Sequence, residues 1–374
     1  MTLRLSPPAA AFLASRLLVL LAAYIGLLAD PLDVATGQWQ AFPDARWLDG
    51  LVRWDAGWYW TIVDRGYYFD PNEPSNVAFF PLVPSVSWAL ATPLRLAVAP
   101  DRAFYLAGIA LSHAAFYAAL VAIWRIARAH FDDPTAAFAV WLVALYPFSL
   151  FFSTPYTEAS YLALSAWSFW FAHRGRWLPA CALASLAAVC RTVGFLIAVG
   201  LFAEYVSRCC RDRRFAARDA LWFAITPALV VALMIWFWAR FDSPTVFVDT
   251  QRHWGRDAGI HHLALALEAM ASAPGDLRLL FGWYLVSLGA AVSLGFVAWR
   301  RLGPGYAVAT IASAVPVIAT GISSSGRYVS VLFPVFLVAA SLARPRWLRA
   351  GILVLFAVHL WCFTHWYAHW HLVN

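Results

Sequence analysis

The chain has 374 residues, of which 62% are hydrophobic and 13% are charged, and its formal net charge is +7. Soluble domains usually carry about 25% charged residues, so this composition excludes an ordinary water-soluble protein and predicts that lipid surrounds most of the chain. The 27 basic residues are all arginine, as a GC-rich bacterial genome would produce. Because they form short clusters between apolar segments, they do not indicate a nucleic-acid partner.

Apolar segments recur along the whole chain. A helix needs roughly 20 residues to cross a hydrocarbon layer of ~30 Å, so the pattern predicts an all-α, polytopic membrane helix bundle with about 10–11 transmembrane or re-entrant segments in a single domain, residues 1–374. The first segment is expected to be a retained anchor, since no small-residue cleavage site precedes the acidic stretch from Asp30. The predicted segments are 9–29, 78–98, 103–124, 135–152, 157–173, 177–206, 219–240, 279–299, 304–322, 328–343 and 348–366.

The arginine clusters predict the orientation of these segments. Cytoplasmic turns are enriched in arginine, so the intervening loops 30–77, 153–158 and 241–278, the turn 323–327 and the region of Arg191 are expected to be extracytoplasmic. With these loop positions the chain can cross the membrane only once between loop 30–77 and Arg125, so either 78–98 or 103–124 must be partial or re-entrant. The same loop positions require a broken helix pair within 177–206, around Arg191. The clusters contain Arg125, Arg128, Arg174, Arg176, Arg208, Arg211, Arg213, Arg214, Arg218, Arg300, Arg301, Arg344, Arg346 and Arg349.

The loop 30–77 is the predicted chemical centre, because it contains eight of the 20 acidic residues. Asp55 lies directly after Trp54 and before Trp58 and Tyr59, and a carboxylate in apolar surroundings is a candidate general base. The aromatic faces could bind the C–H surfaces of a sugar, or they could form an interfacial belt. The acidic residues are Asp30, Asp33, Asp44, Asp49, Asp55, Asp64, Asp70 and Glu73.

Three ionisable residues elsewhere lie in apolar segments. Glu158 follows the sequence YPFSLFFSTPYT and is either a functional carboxylate at membrane depth or the N-terminal cap of the next helix. Arg191 and Arg327 must pair with an anion or open onto water, and a lipid-linked phosphate would suit both. Arg327 could instead extend to the membrane interface.

The remaining motifs predict no metal or nucleotide site. His365 and His369 have the i, i+4 spacing of metal ligands, but no carboxylate accompanies them, so a terminal interfacial segment is expected. The five cysteines form no CxxC pair and are expected to pack. No GxGxxG, P-loop or HExxH motif occurs, so the substrate itself must supply the energy for any transfer. The second loop contains a group of polar and aromatic residues that could hold a sugar or a headgroup, or could belong to a solvated linker. These residues are Asp249, Gln251, Arg252, His253 and Trp254.

The sequence resembles the PIG-V type mannosyltransferases over most of its length. RWDAGWY at Arg53 to Tyr59, IVDRGY at Ile62 to Tyr67 and AFFPLVP at Ala78 to Pro84 are similar to the early pattern of that family. Shorter matches follow in the same order, at Pro147, Phe151, Ser153, Tyr156, Thr157 and Glu158, at Arg191 and Gly194, at Gln251 and Trp254, and at Gly326, Arg327 and Tyr328.

This resemblance implies a GT-C glycosyltransferase that moves a hexose, in that family mannose, from a polyprenyl-phosphate donor to an extracytoplasmic acceptor with inversion. Asp55 would be the base or the acceptor-orienting carboxylate, and Glu158 a second polar anchor. No cofactor or metal is expected, because the first loop lacks a DxD pair, although Asp55 and Glu158 could share an ion. The acceptor could be a lipid, a glycan or a protein, and the site would face outward from a bacterial inner membrane. The implied substrate-binding residues are Arg53, Trp54, Trp58, Tyr59, Tyr67, Tyr156, Gln251 and Trp254, with Arg191 and Arg327 at the donor phosphate.

Two other readings remain open at this stage. A transporter or flippase for a lipid-linked saccharide would also use broken helices and arginines at membrane depth. A non-catalytic partner subunit would tolerate asparagine at position 55, whereas the transferase would lose its activity.

Overall fold

The computed structural model describes residues 5–32, 38–256, 261–371 and 373, with only the backbone described at 261–263, 266 and 269. The regular structure of these residues is entirely helical, which confirms the predicted all-α class. Asp33 lies outside the described residues. The α-helices are α1 (Pro7–Ala29), α2 (Arg46–Asp49), α3 (Asp55–Arg65), α4 (Leu82–Ala91), α5 (Pro100–His130), α6 (Asp133–Leu145), α7 (Glu158–His173), α8 (Trp177–Ala188), α9 (Phe195–Asp212), α10 (Ala217–Leu221), α11 (Ile225–Phe241), α12 (Val246–Asp249), α13 (His261–Ser272), α14 (Gly275–Arg301), α15 (Pro304–Thr320), α16 (Ser325–Ser330), α17 (Phe333–Leu342) and α18 (Arg346–Ala368).

Five helical stretches in the described part of the chain are long and apolar enough to cross a membrane. The shortest has 23 residues, which at a rise of 1.5 Å per residue is about 35 Å and exceeds the ~30 Å of a hydrocarbon core. Five further apolar helices have 10–17 residues. The chain is therefore an integral membrane protein. The long stretches are Pro7–Ala29, Pro100–His130, Ala217–Phe241, Gly275–Arg301 and Arg346–Ala368.

Both irregularities that the charge pattern required are present. In the predicted segment 78–98, α4 has only 10 residues, about 15 Å, whereas α5 has 31 and spans alone. In the predicted segment 177–206, α8 ends at Ala188 and α9 begins at Phe195, so the chain breaks around Arg191. Gly194 permits this break, because a Cβ at that position would lie 1.8 Å from the carbonyl oxygen of Ala187.

Three predicted boundaries were wrong. Segment 135–152 is not one helix, because α6 ends at Leu145 and Tyr146, which precedes Pro147, is extended with ψ 136°. Segment 328–343 is interrupted between α16 and α17, where Pro334 is the second residue of the new helix. The predicted loop 241–278 contains α12 and α13, and α14 already begins within it at Gly275.

The single predicted domain resolves into two compact units, each discontinuous in sequence. The first unit contains Met1–Gly66, Leu82–Ala163 and Ala339–Val373, and the second contains Tyr67–Pro81 and Leu164–Val338. The predicted chemical loop 30–77 therefore divides after Gly66, whose φ of +80° is readily adopted by glycine.

In the first unit α1 packs against α5, α6 and α18 around a buried arginine. The Arg16 guanidinium donates to the carbonyl of Ser149 at 2.9 Å and to the hydroxyl of Ser153 at 2.7 Å, and it lies 4.6 Å from the centre of the Phe116 ring. Further bonds reach the carbonyl of Ala144 and the Ser149 hydroxyl. Arg16 thereby holds the turn Ser149–Phe152, which leads directly into the Tyr156–Glu158 motif.

In the second unit α9 packs closely against α15 through small residues. A Cβ at Gly200 would lie 2.6 Å from the Cβ of Ala309, and one at Gly305 would lie 2.7 Å from the carbonyl oxygen of Gly200. Small residues of this kind let helix backbones approach closely in a membrane, where dispersion contacts replace the hydrophobic effect.

Candidate functional site

Asp55 stands at a strained corner of the first unit. The preceding residue, Trp54, has φ 47° and ψ −113°, a backbone conformation that side chains rarely adopt and that costs roughly 1–3 kcal/mol. Asp55 is the first residue of α3, where the dipole of the helix favours a carboxylate, and it is half-buried. The corner thus presents an accessible acidic group on a backbone that the surrounding structure must hold in place.

A tyrosine hydroxyl fastens this corner from across the unit. The Tyr156 hydroxyl donates a hydrogen bond to the carbonyl of Arg53 at 2.8 Å and accepts one from the backbone N–H of Asp55 at 3.0 Å. Tyr367, at the end of α18, donates to the same hydroxyl at 3.1 Å. Tyr156 is fully buried, so these bonds are shielded from competition by water.

Arg53 is fully buried and is held by the protein itself. Its guanidinium forms an ion pair with Asp49 at 2.7 Å and donates to the carbonyls of Asp49, Val52 and Ala368 at 2.6, 2.7 and 2.9 Å. One face of the guanidinium also lies 5.3 Å from the Trp370 ring. This geometry favours a positioning role for Arg53 over the substrate contact that the sequence predicted.

The other predicted residues of the first unit line the same region to different depths. The Tyr59 hydroxyl lies 3.4 Å from the Thr157 hydroxyl, and its ring centre lies 6.1 Å from that of Tyr156. Glu158 is fully buried and begins α7, a position compatible with either of its two predicted roles. Trp58 is half-buried on α3. The residues of the predicted site that lie in the first unit are Arg53, Trp54, Asp55, Trp58, Tyr59, Tyr156 and Glu158.

Tyr67 belongs to the core of the second unit. Its hydroxyl donates to the carbonyl of Phe79 at 2.8 Å, and its ring packs edge-on against Trp236 and Phe237. These contacts are those of a packing residue, so the structure supplies no support for the predicted substrate contact of Tyr67.

The predicted second-loop residues hold two segments of the second unit together. Gln251 donates to the carbonyl of Phe247 at 3.2 Å, and the Trp254 ring packs edge-on against Phe79. Arg252 donates to the carbonyl of Pro71 at 2.8 Å, and His253 lies 2.9 Å from the same oxygen. The turn Thr250–Trp254 is therefore attached to the chain around Pro71 rather than a free linker. Asp249 accepts a hydrogen bond from Ser243 at 3.1 Å.

An arginine–tyrosine cluster forms the second chemical feature of the second unit. The guanidinium carbons of Arg191 and Arg256 lie 5.0 and 5.3 Å from the centre of the Tyr328 ring, and Arg256 donates to the Tyr328 hydroxyl. Arg327, next to Tyr328 in α16, is only 7% exposed, which disfavours the alternative of an arginine extended to the interface. We call these four residues the arginine cluster; three guanidinium groups gathered in this way attract a phosphate or a carboxylate.

Arg256 was missed in the sequence analysis. It follows a helical turn that looked solvated, and no periodicity or motif connects it to Tyr328, 72 positions later.

The tail histidines contact backbone carbonyl groups of the protein. The Nδ1 and Nε2 atoms of His369 lie 2.7 and 2.9 Å from the carbonyl oxygens of His365 and Asp30, so both ring nitrogens already face protein acceptors. Among the described residues, no group of three or more His, Cys, Asp and Glu side chains is arranged to hold a metal ion. The cysteines form no disulfide, and Cys181 and Cys190 are buried.

Comparison with known proteins identifies relatives of this fold and sequence. Residues 27–206 match the model of the family "Mannosyltransferase (PIG-V)". The chain is 32% identical over 158 residues to the rat protein GPI alpha-1,6-mannosyltransferase 2, an alignment that covers 41% of this chain and 31% of the relative. The chain thus spans about a third of the length of this curated relative.

Two solved structures share the fold at low sequence identity. The oligosaccharyltransferase of Archaeoglobus fulgidus, in its apo form, superposes with a TM-score of 0.53 and 12% identity over 98% of this chain and 56% of its own. ArnT from Cupriavidus metallidurans, solved bound to undecaprenyl phosphate, superposes with a TM-score of 0.53 and 14% identity over 92% of this chain and 62% of its own. The match to the PIG-V mannosyltransferase model thus covers a little under half of the chain, and the helical fold is similar to that of these two solved structures.

Proposed function

We propose that this protein transfers a hexose, in the first instance mannose, from a polyprenyl-phosphate donor to a hydroxyl group of an acceptor, with inversion at the anomeric carbon. The observation that carries the proposal is the Trp54–Asp55 corner. It lies within the family-matched segment, and it combines a half-buried carboxylate with a strained backbone that the Tyr156 hydroxyl holds through two hydrogen bonds. Strain of this kind is concentrated at functional sites, where it serves to orient a reacting group.

In the proposed reaction Asp55 accepts the proton of the acceptor hydroxyl as its oxygen forms a bond to the anomeric carbon. The bond from that carbon to the phosphate oxygen breaks, and the phosphate leaves with the electron pair. A positioned carboxylate base contributes about 10²–10⁴-fold to such a step. Trp54 and Trp58, the predicted aromatic residues of the first unit that are not fully buried, would contact sugar C–H surfaces.

We assign the arginine cluster to the donor phosphate. The departing phosphate gains negative charge, and guanidinium groups stabilise that charge through bidentate hydrogen bonds. Arg256 joins the predicted Arg191 and Arg327 in this role, because it shares Tyr328 with Arg191.

Two details come only from the sequence pattern and from the relatives. The site is proposed to face the extracytoplasmic side of a bacterial inner membrane, since the arginine-rich turns are expected to be cytoplasmic. The rat relative is named as a mannosyltransferase, so mannose is the first donor sugar to test. The acceptor could be a lipid, a glycan or a protein.

The test uses purified protein in lipid nanodiscs, radiolabelled polyprenyl-phosphate mannose and an extract of native membranes as the source of acceptors. We expect the wild type to transfer label and Asp55→Asn to lose at least about a hundredfold in rate while keeping its melting temperature. Asp64→Asn is the matched control, because Asp64 lies on the same helix and forms an ion pair with the exposed Arg65. Equal rates in wild type and Asp55→Asn would refute the catalytic role of Asp55.

A transporter of lipid-linked saccharides is the second candidate, favoured by the break between α8 and α9 around Arg191. This function predicts movement of labelled donor across the membrane of a sealed vesicle, without any labelled product. The same donor measured in proteoliposomes therefore distinguishes the two functions.

A further inference from the structure

The end of α18 lies against the corner that carries Asp55, although more than 300 residues separate them in sequence. The carbonyl of Ala368 accepts a hydrogen bond from Arg53 at 2.9 Å. The ring of Trp370 packs edge-on against Trp54, with 5.4 Å between ring centres. Neither contact was expected, because the sequence of the tail predicted only an interfacial segment.

Tyr367 makes the contact that bears most directly on Asp55. A tyrosine hydroxyl has one proton to donate and can accept two hydrogen bonds. At Tyr156 that proton goes to the carbonyl of Arg53, while the N–H of Asp55 and the hydroxyl of Tyr367 both donate to its oxygen. The Tyr367 hydroxyl also lies 3.4 Å from the carbonyl oxygen of Arg53, so the Tyr156 oxygen at 3.1 Å is the nearer acceptor for its single proton. Donation to Tyr156 directs the Tyr156 proton toward the carbonyl of Arg53 and keeps the Tyr156 oxygen available as the acceptor for Asp55.

The two tyrosine rings have separate packing contacts. Tyr367 packs edge-on against Phe151 and Tyr156, with ring centres 5.6 and 6.3 Å apart. A phenylalanine at position 367 would preserve these ring contacts and remove only the hydroxyl. The hydroxyl can therefore be tested without opening a cavity.

We propose that Tyr367 is a positioning residue for the Asp55 carboxylate. Its hydroxyl orients Tyr156, Tyr156 holds the backbone N–H of Asp55, and the Trp54–Asp55 corner keeps the carboxylate in one direction. The inference rests on the proposed function, in which Asp55 is the base. It adds that the last turn of α18 belongs to the active site.

The test compares Tyr367→Phe, Tyr156→Phe and the double variant in the nanodisc assay with radiolabelled polyprenyl-phosphate mannose. We expect Tyr367→Phe to lower kcat about tenfold, equivalent to about 1.4 kcal/mol, and to leave the KM for the donor unchanged. Tyr156→Phe should lower kcat about a hundredfold, since it removes the bond to Asp55 itself. The double variant should be no slower than Tyr156→Phe within about twofold, because Tyr367 acts through Tyr156. Tyr24→Phe, an exposed tyrosine on α1, is the matched control and should have wild-type rates.

Four results would overturn the proposal. A lower melting temperature for Tyr367→Phe with an unchanged kcat per folded molecule would leave it a merely structural residue. Multiplying losses in the double variant would show that Tyr367 and Tyr156 act independently. An inactive Asp55→Asn beside a fully active Tyr367→Phe would refute the positioning role alone, whereas an active Asp55→Asn would refute the proposed base and this role together.

Discussion

The buried ion pair between Asp49 and Arg53 offers a direct test of how the corner is held. Both side chains are almost completely inaccessible, and the Asp49 carboxylate also accepts a hydrogen bond from the backbone N–H of Phe42 at 2.9 Å. In Asp49→Asn one amide oxygen can still accept that bond. The amide nitrogen must then face the Arg53 guanidinium, donor against donor, and the buried positive charge loses its counter-charge.

Removal of one partner from a buried ion pair typically costs about 3–5 kcal/mol, because the remaining charge stays desolvated. We therefore expect Asp49→Asn to lower the free energy of unfolding by about that amount, measured by reversible denaturant titration in mixed micelles. The control is Asp64→Asn, since the pair of Asp64 with Arg65 has side-chain exposures of 39% and 78% and should contribute about 0–1 kcal/mol. A loss of less than about 1 kcal/mol in Asp49→Asn, equal to that of the control, would refute the reasoning that Arg53 depends on Asp49.

Three further predictions follow from close contacts and buried charge. Gly194→Ala should abolish the break between α8 and α9 and lower the melting temperature by several degrees, because its Cβ would meet the Ala187 carbonyl. The control Gly289→Ala, whose Cβ would meet no atom within 4 Å, should keep the wild-type melting temperature. Equal melting temperatures for the two variants would contradict the expectation. Arg16→Met should lower the free energy of unfolding by about 3 kcal/mol or more, since it leaves several buried acceptors without donors, and a neutral effect in denaturant titration would contradict this. Arg256→Gln should raise the KM for the donor about tenfold, equivalent to about 1.4 kcal/mol, at unchanged kcat. The control Arg240→Gln, at an exposed position, should keep the wild-type KM. Identical KM values for the two variants would exclude Arg256 from the phosphate site.

The sequence predicted the membrane helices well, because hydropathy is a property of local composition. It also predicted the short α4 and the break around Arg191, since the arginine pattern constrains how often the chain can cross. It failed after α6 and before α17, where a proline interrupts an apolar segment that hydropathy alone predicts to be continuous.

The candidate site was predicted in part. The motif around Asp55 was identified because its acidic and aromatic residues lie together in the sequence. The roles proposed for Tyr367 and Arg256 could not be predicted, since each contacts a tyrosine more than 70 positions away and neither belongs to a local pattern. The ring of Tyr67 packs against Trp236 and Phe237, and its predicted substrate contact stays a prediction.

The buried arginines show why residue type alone could not assign these roles. Arg16 and Arg53 donate mainly to backbone carbonyls and hydroxyls, and Arg53 adds one carboxylate, so little hydrogen-bonding capacity is left for a substrate. Among the described residues, by contrast, the Arg256 side chain donates to the Tyr328 hydroxyl and lies over its ring, contacts that retain the positive charge of the guanidinium. An arginine that the backbone already satisfies stabilises the fold, whereas one held mainly by an aromatic ring can still bind an anion. The sequence treats all of these arginines alike, and the contacts of each guanidinium group distinguish the structural Arg16 and Arg53 from Arg256, a proposed ligand of the donor phosphate.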